Sequence, residues 1–341
     1  MTTCAFVSFR FGMTDGVSIV ARRWMEIVAS FGFDVVTVAG EGPVDRKVPG
    51  LAIDAPAPPT DAEIADALVD ADLVVVENLC TIPLNVEAAL GVARVLAGRP
   101  AVMHHHDPPW HRERYAHVTE LPIDDPAWRH VTINDQTAAE MAAHGFDTTV
   151  IYNGFETSGP GDRVAARRWL GVDDDEVVVA HPVRAIERKN VPAAIGLAEA
   201  LDATYWLLGP AEEGYGPTLD ALLASARCRV IHRACDVEAD IYAAADVVAF
   251  PSTWEGFGNP PIEAALHRRP AVVGHYPFAA ELRALGFRWF DPDDVAGVAD
   301  FLREPDESLL DANEQLAKLH FSMGRVRDQL HTLFDDEGWL S

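Results

Sequence analysis

Basic residues are scarce in this chain. It carries 27 Lys+Arg against 53 Asp+Glu, a formal net charge of −26 over 341 residues. Such a surface disfavours non-specific binding to nucleic acid or to an anionic membrane, so an anionic ligand must be met by a local cluster of cations. Cysteine is scarce as well. Cys4, Cys80, Cys228 and Cys235 have no metal-ligand spacing, which argues against a disulfide framework or a zinc ribbon and reads as free thiols in a reducing compartment. No apolar run approaches the roughly 18 residues of a membrane helix. The opening MTTCAFVSFRFG has neither a basic stretch nor a long apolar one behind it. The expectation is a soluble cytoplasmic protein with no nucleic-acid partner and no transmembrane segment.

What the chain does have is alternation. Its hydrophobic content of 49% can bury a large core, and its length suggests two domains. CAFVSF (4–9), DVVTVAG (34–40), DLVVVE (72–77), AVMHH (101–105), HVTIN (130–134) and TTVIYN (148–153) read as strands, and residues 16–32, 61–70 and 136–145 between them carry helical periodicity. The stretch NGFETSGPGD (153–162) breaks the pattern and reads as a linker. Alternation then resumes with VVVAHP (177–182), TYWLLG (204–209), RVIHRA (229–234), DVVAFPS (246–252), PAVVGH (270–275) and FRWF (287–290). The expected fold is α/β, with two doubly wound Rossmann-like domains at 1–155 and 160–322 and a terminal helix, 323–341, packing back on the first. Ligands of such folds bind at the carboxyl ends of the strands.

Four loops at expected strand ends carry chemistry. EGFGNPPIE (255–263) sets Glu255 and Glu263 around a glycine turn that opens a helix. A helix N-terminus attracts an anion, while carboxylates accept from vicinal hydroxyls, so a ligand bearing both phosphate and sugar fits. HPVRAIERKN (181–190) places Arg184 and Lys189 five apart, where they could neutralise a diphosphate. RFGMTDGVS (10–18) brackets a turn with Gly12 and Gly16 but is no dinucleotide fingerprint. MHHHDPPWHRERY (103–115) offers three histidines; on an extended chain His104 and His106 point one way and His105 the other. A zinc site there has no obvious third ligand in the sequence, and imidazole as a hydrogen-bond partner of a sugar hydroxyl is the preferred reading. The acidic clusters at 173–176 and 291–294 read as solvated loops.

Together these motifs resemble the retaining nucleotide-sugar glycosyltransferases of the GT-B fold, family 4 (group 1). EGFGNPPIEA (255–264) is similar to the family's E-x7-E motif, Arg184 and Lys189 to its R-x4-K pair, IYAAADVVAFPS (241–252) to the stretch before the motif and IYNGFE (151–156) to its interdomain segment. HFSMGRVRDQL (320–330) is similar to the family's terminal crossing helix. The RFGMTDGVS and HHHD stretches further resemble members that move mannose to glucosylglycerate-type acceptors.

The resemblance implies that Glu255 accepts from donor-sugar hydroxyls and Glu263 from the ribose. It implies that the amides of Phe257, Gly258 and Asn259 line the sugar and diphosphate, that Arg184 and Lys189 hold the phosphates, and that Gly16 touches the diphosphate. His104 corresponds to the family's histidine near the anomeric centre. Pro260 and Pro261 lack the amides the family's pattern would offer there. Catalytic candidates are therefore His104, Glu255, Arg184 and Lys189, with no metal and no cofactor beyond the nucleotide-diphosphate sugar, GDP-mannose or a UDP-sugar. For a small, anionic acceptor the candidates are Arg10, His106, Arg112 and Arg114. A nucleotide-sugar epimerase on the same fold, or a non-catalytic sugar-nucleotide-binding protein, are the competing readings.

Overall fold

The computed structural model describes residues 2–12, 16–156 and 159–340. Met13 to Asp15, in the middle of the RFGMTDGVS loop, and Thr157 and Ser158 of the expected linker lie outside the described residues. The chain forms two compact units, one of residues 1–154 with 323–341 and one of residues 155–322.

The first unit runs β1 (Thr3–Arg10), α1 (Gly16–Ser30), β2 (Asp34–Glu41), β3 (Arg46–Lys47), α2 (Asp61–Ala67), β4 (Leu73–Glu77), α3 (Val86–Leu96), β5 (Ala101–His105), β6 (Trp128–Thr132), α4 (Asp135–Ala143) and β7 (Thr148–Val150). Its seven strands lie in the order β3-β2-β1-β4-β5-β6-β7, parallel throughout. Strands covered on both faces are apolar at every position rather than at alternate ones, and β4 and β5 are buried along their whole length.

The second unit runs α5 (Arg163–Leu170), β8 (Val178–His181), α6 (Val191–Ala200), β9 (Thr204–Leu207), α7 (Gly216–Ser225), β10 (Val230–His232), α8 (Glu238–Ala244), β11 (Val247–Phe250), α9 (Asn259–Leu266), β12 (Ala271–Val273), α10 (Pro277–Ala284), α11 (Val295–Arg303) and α12 (Glu307–Phe321). Its five parallel strands are ordered β10-β9-β8-β11-β12. The last helix, α13 (Met323–Asp336), sets Val326, Leu330, Leu333 and Phe334 into the first unit's core beside Trp24 and Val28.

Helix starts follow side-chain chemistry. Thr60 and Glu63 form a capping box at α2, Asn134 accepts from Thr137 N at α4, and Asp162, Asp294 and Asp306 cap α5, α11 and α12. One expected strand is absent. FRWF makes a single bridge, Phe290 to Val272, because the main chain of Arg288 is taken by the side chain of Asn313, which accepts from its N–H at 2.9 Å and donates to its carbonyl at 2.8 Å. Strand β6 begins two residues earlier than HVTIN suggests and stops at Thr132, since Asn134 is committed to the α4 cap. Among the described residues no helix is long and apolar enough to cross a membrane.

Candidate active site

Each sheet reverses its winding once, between β1 and β4 and between β8 and β11. Such switch points open a crevice at the strand carboxyl ends, and two clusters of the residues singled out from sequence lie there, one in each unit.

In the second unit the loop after β8 carries Arg184, Arg188 and Lys189, and the loop after β11 carries Glu255. Main-chain and side-chain bonds tie the loops together: Thr253 N donates to Arg188 O at 2.9 Å, Arg188 Nη1 to Trp254 O at 3.0 Å and Asn190 Nδ2 to Pro251 O at 3.3 Å. Asn190 itself takes left-handed φ of 54° before α6, a conformation asparagine tolerates better than most residues. The Glu255 carboxylate, 7% exposed, is gripped at both oxygens. Lys189 Nζ donates to Oε1 at 2.5 Å and Arg188 Nη1 to Oε2 at 2.5 Å. Lys189 also lies 4.8 Å from the Phe250 ring centroid. Burial pulls its ammonium below the usual lysine range, Glu255 pulls it back up, and Arg188 and Arg184 push it down again. Arg184 stands apart, half exposed and paired with Glu212 at 2.5 Å.

Glu255 leads into Phe257, buried and stacked 4.4 Å from Phe278. Gly258 then caps α9 at φ 87°, where a Cβ would lie 2.8 Å from the Tyr276 hydroxyl, so this turn requires glycine. Asn259 opens the helix. Glu263, one turn on, accepts from the Tyr242 hydroxyl at 2.5 Å. Burial and that carboxylate hold the Tyr242 phenol well above its ordinary range, so it remains a donor.

In the first unit the three consecutive histidines divide by face. His104 Nδ1 lies 2.9 Å and His106 Nε2 3.2 Å from Glu77 Oε2 at the end of β4. An ionised carboxylate only accepts, so both imidazoles donate to it. Burial alone would raise the Glu77 carboxyl, but His104 and His106 outweigh it and hold it at about 2. Burial keeps His104 neutral by lowering its imidazolium range, which leaves its Nε2 a bare acceptor, buried and without a partner among the described residues. The ring stacks on Trp24 at 4.0 Å. His105 faces the other way in a chain of bonds, 2.6 Å to Thr81 Oγ1 and 2.8 Å to His130, which reaches Asp124 at 2.9 Å. If Asp124 accepts, each imidazole passes its proton outward and Thr81 donates to His105. Asn78, with φ 58°, fixes the loop by accepting from the main-chain N–H of His106 and of Asp107, both at 3.1 Å.

The third neighbour that sequence reasoning did not find for the histidines is thus Glu77. The three could hold a metal ion, their ligand atoms all lying within 4.8 Å of one another. Two imidazole N–H groups on one carboxylate oxygen also make a hydrogen-bonded triad, one that leaves Glu77 Oε1 and His104 Nε2 buried without a partner among the described residues. Gly16 opens α1 exposed, with nothing among the described residues that a Cβ would meet. The remaining candidates do not converge on one spot: Arg10 ends β1, Arg112 pairs with Asp107 at 3.1 Å, and exposed Arg114 lies over the Tyr115 ring. A pocket of about 340 Å³ beside α13 and one of about 250 Å³ beside Trp110 and His144 include none of the residues of these two clusters.

Comparison with known proteins gives this arrangement a context. The family of glycosyl transferases group 1 matches residues 187–304, the span that holds Arg188, Lys189, Glu255 and Glu263. Mannosylglucosylglycerate synthase of Thermotoga maritima is 23% identical over 97% of this chain and 94% of its own length. The chain is a GT-B glycosyltransferase. D-inositol 3-phosphate glycosyltransferase of Mycobacterium tuberculosis is 32% identical to the transferase over 48% of the chain and 38% of its own length. Among solved structures, Anabaena HepE in complex with UDP-glucose shares the fold at TM-score 0.75 and 22% identity, covering 98% of the transferase and all of HepE. Sucrose-phosphate synthase of Thermosynechococcus elongatus does so at TM-score 0.73 and 15% identity over the full length of both. The signals that sequence reasoning passed over in the transferase are Arg188, hidden in an ordinary basic loop, and Glu77, whose one mark was an acid ending an otherwise apolar strand.

Proposed function

We propose that this transferase moves a hexosyl group, with retention of configuration and without a metal, from a nucleotide-diphosphate sugar to a hydroxyl of a small anionic acceptor. The observation that carries the reading is the Arg188–Glu255–Lys189 cluster beside the start of α9, where cations, a carboxylate and a helix N-terminus meet at the β8/β11 switch point. Lys189 has three donors and Arg188 five, more than Glu255 and Trp254 use, so each can turn the remainder toward a diphosphate. With Arg184 they would stabilise the charge that grows on the departing phosphate as the glycosidic C–O bond breaks. Glu255, already oriented by two cations, accepts from hydroxyls of the donor sugar, and Glu263 from the ribose. The free Nε2 of His104 accepts a hydroxyl proton near the anomeric carbon, and Gly16 gives the diphosphate close access to the start of α1. Retention follows from attack by the acceptor oxygen on the face the phosphate leaves: its bond to the anomeric carbon replaces the one to phosphate, and the acceptor's proton passes to the departing phosphate oxygen.

Similarity to mannosylglucosylglycerate synthase over nearly the whole chain supports a mannosyl donor and an acceptor with a glycerate carboxylate, for which Arg10, His106, Arg112 and Arg114 are the candidate partners. HepE, solved with UDP-glucose, supports a uridine donor instead. Calorimetry with UDP, GDP, ADP and their hexose conjugates, with and without EDTA, on the wild type and on Glu263→Ala decides between them. The expected result is EDTA-insensitive binding of one nucleotide, weakened in the variant, and a product with the donor's anomeric configuration by NMR. Absence of binding to every nucleotide would overturn the reading. Abolition by EDTA would instead favour a metal on Glu77, His104 and His106.

A further inference from the structure

Three strand ends in the second unit carry buried polar atoms that no described residue satisfies. They are His181 Nε2 at the end of β8, Ser252 Oγ after β11 and the Tyr276 hydroxyl after β12. The three strands are adjacent, in the order β8-β11-β12. Buried polar groups in native proteins are nearly always paired, so orphans grouped on one edge point to a ligand.

Tyr276 can be placed more closely than the others. Its side chain is 4% exposed. The hydroxyl lies beside Gly258, the residue before the first turn of α9, at 2.8 Å from where a Cβ would stand. Its ring meets Phe250 edge-on at 6.1 Å, and Phe250 in turn underlies Lys189. Burial and the Glu255 charge hold the phenol well above its ordinary range, so it is protonated and can donate. The first turn of α9 is short of donors. Helix N-termini bind anions through free main-chain N–H groups, and here Pro260 and Pro261 occupy two of those positions without one.

We propose that the Tyr276 hydroxyl donates a hydrogen bond to a phosphate oxygen of the sugar donor at the start of α9, in place of the amides that Pro260 and Pro261 remove. This rests on the diphosphate lying at that helix end, as proposed above. The orphaned hydroxyl is then part of a site whose remaining donors are Lys189, Arg188 and the Asn259 amide. Tyr276 is a specificity residue for the diphosphate rather than for the base or the acceptor.

Tyr276→Phe tests it, since the ring and its packing are retained and one oxygen is lost. Calorimetry with UDP and GDP should show Kd for the bound nucleotide raised about tenfold or more, the range of a hydrogen bond to a charged group. The sugar conjugate should weaken by the same factor, and the Tm of the ligand-free variant should be unchanged or higher, because an unpaired buried hydroxyl has been removed. Equal Kd in wild type and variant would overturn the proposal, as would a fall in ligand-free Tm, which would mean that the hydroxyl serves the fold. A loss confined to the sugar conjugate would move the contact to the sugar and overturn the phosphate assignment. If the wild type bound neither UDP nor GDP, the diphosphate reading would fall first and the role of Tyr276 with it.

Discussion

The two units answer one problem with different chemistry. Each buries a carboxylate at a switch point, Glu255 after β11 and Glu77 at the end of β4, and each gives it two nitrogen partners. Glu255 is held by an arginine, charged across the working pH range, and by a lysine that burial pulls below its usual range and Glu255 pulls back up. Glu77 is held by two imidazoles, at least one of which burial keeps neutral. The first arrangement has cationic capacity to spare for a diphosphate. The second is charge-poor and leaves two bare acceptors among the described residues, Glu77 Oε1 and His104 Nε2, suited to hydroxyls. The difference is one of available chemistry: spare positive charge in the second unit, bare acceptors in the first.

Breaking the Glu255 cluster has the largest expected effect. Glu255→Ala strands Lys189, a buried ammonium, without its carboxylate, and loss of one member of a buried pair costs about 3–5 kcal/mol. Adding Lys189→Met removes the stranded charge and should recover much of the lost Tm by calorimetry, while transferase activity stays at least about a hundredfold down, as for loss of an electrostatic stabiliser. If the double variant recovered activity as well, the cluster would be a structural ion pair.

The Glu77 cluster should yield a smaller and pH-dependent effect. Glu77→Gln keeps an acceptor of the same shape but loses the charge that fixes the tautomer of His104. Loss of about tenfold to a hundredfold in kcat, with donor KM little changed, is expected from steady-state kinetics. Stability against pH then sharpens the comparison. The carboxyl of Glu77 is depressed, so the stability it contributes is present above about pH 4.5 and lost as pH falls toward about 2. Buried imidazoles with depressed values act in the same direction from a higher starting point. They cost nothing above about pH 6.5 and destabilise as pH drops below it, because the unfolded chain takes up protons that the folded one refuses. The first unit has three of these, His104, His105 and His130, and the second has His181, held at about 3 by burial and by Lys189. Hydrogen exchange at pH 5 should therefore show protection lost in β4 to β6 before β8 and β11. Earlier loss in the second unit would contradict the assignment of these imidazoles as neutral.

How much of this was visible in the sequence differs between the two clusters. Parallel strands buried on both faces read as unbroken apolar runs, so β4, β5, β8 and β11 stood out with their following loops, and Glu255 and Glu263 came with a motif. Glu77 had no motif, and its partners lie 27 and 29 residues on, joined only by the register that sets β4 beside β5. Arg188 was legible as a basic residue, but which of three cations in one loop reaches the carboxylate is decided by the turn before Asn190. FRWF failed for the converse reason: its pattern suited a strand, and a polar side chain 25 residues away claimed its main chain. Local pattern carries the elements; contacts across the sheet carry the site.

Arg184 is where the comparison predicts least for the fold and something measurable for the ligand. Its pair with Glu212 joins two side chains that are 51% and 39% exposed, and exposed pairs contribute from about 0 to 1 kcal/mol. Arg184→Gln should leave Tm within about 1 °C. The same side chain lies close enough to Lys189 for its charge to depress that ammonium, so removing it lets Lys189 hold its proton more firmly. The two consequences oppose each other at a diphosphate: one cation is lost and its neighbour's charge is secured. A rise in donor Kd of only about threefold to tenfold follows, larger at low salt than at high, because an exposed guanidinium is screened and buried Lys189 is not. Loss of binding as severe as that in a Lys189 variant would mean that Arg184 leaves Glu212 when the donor binds and that the half-exposed cation carries the phosphate.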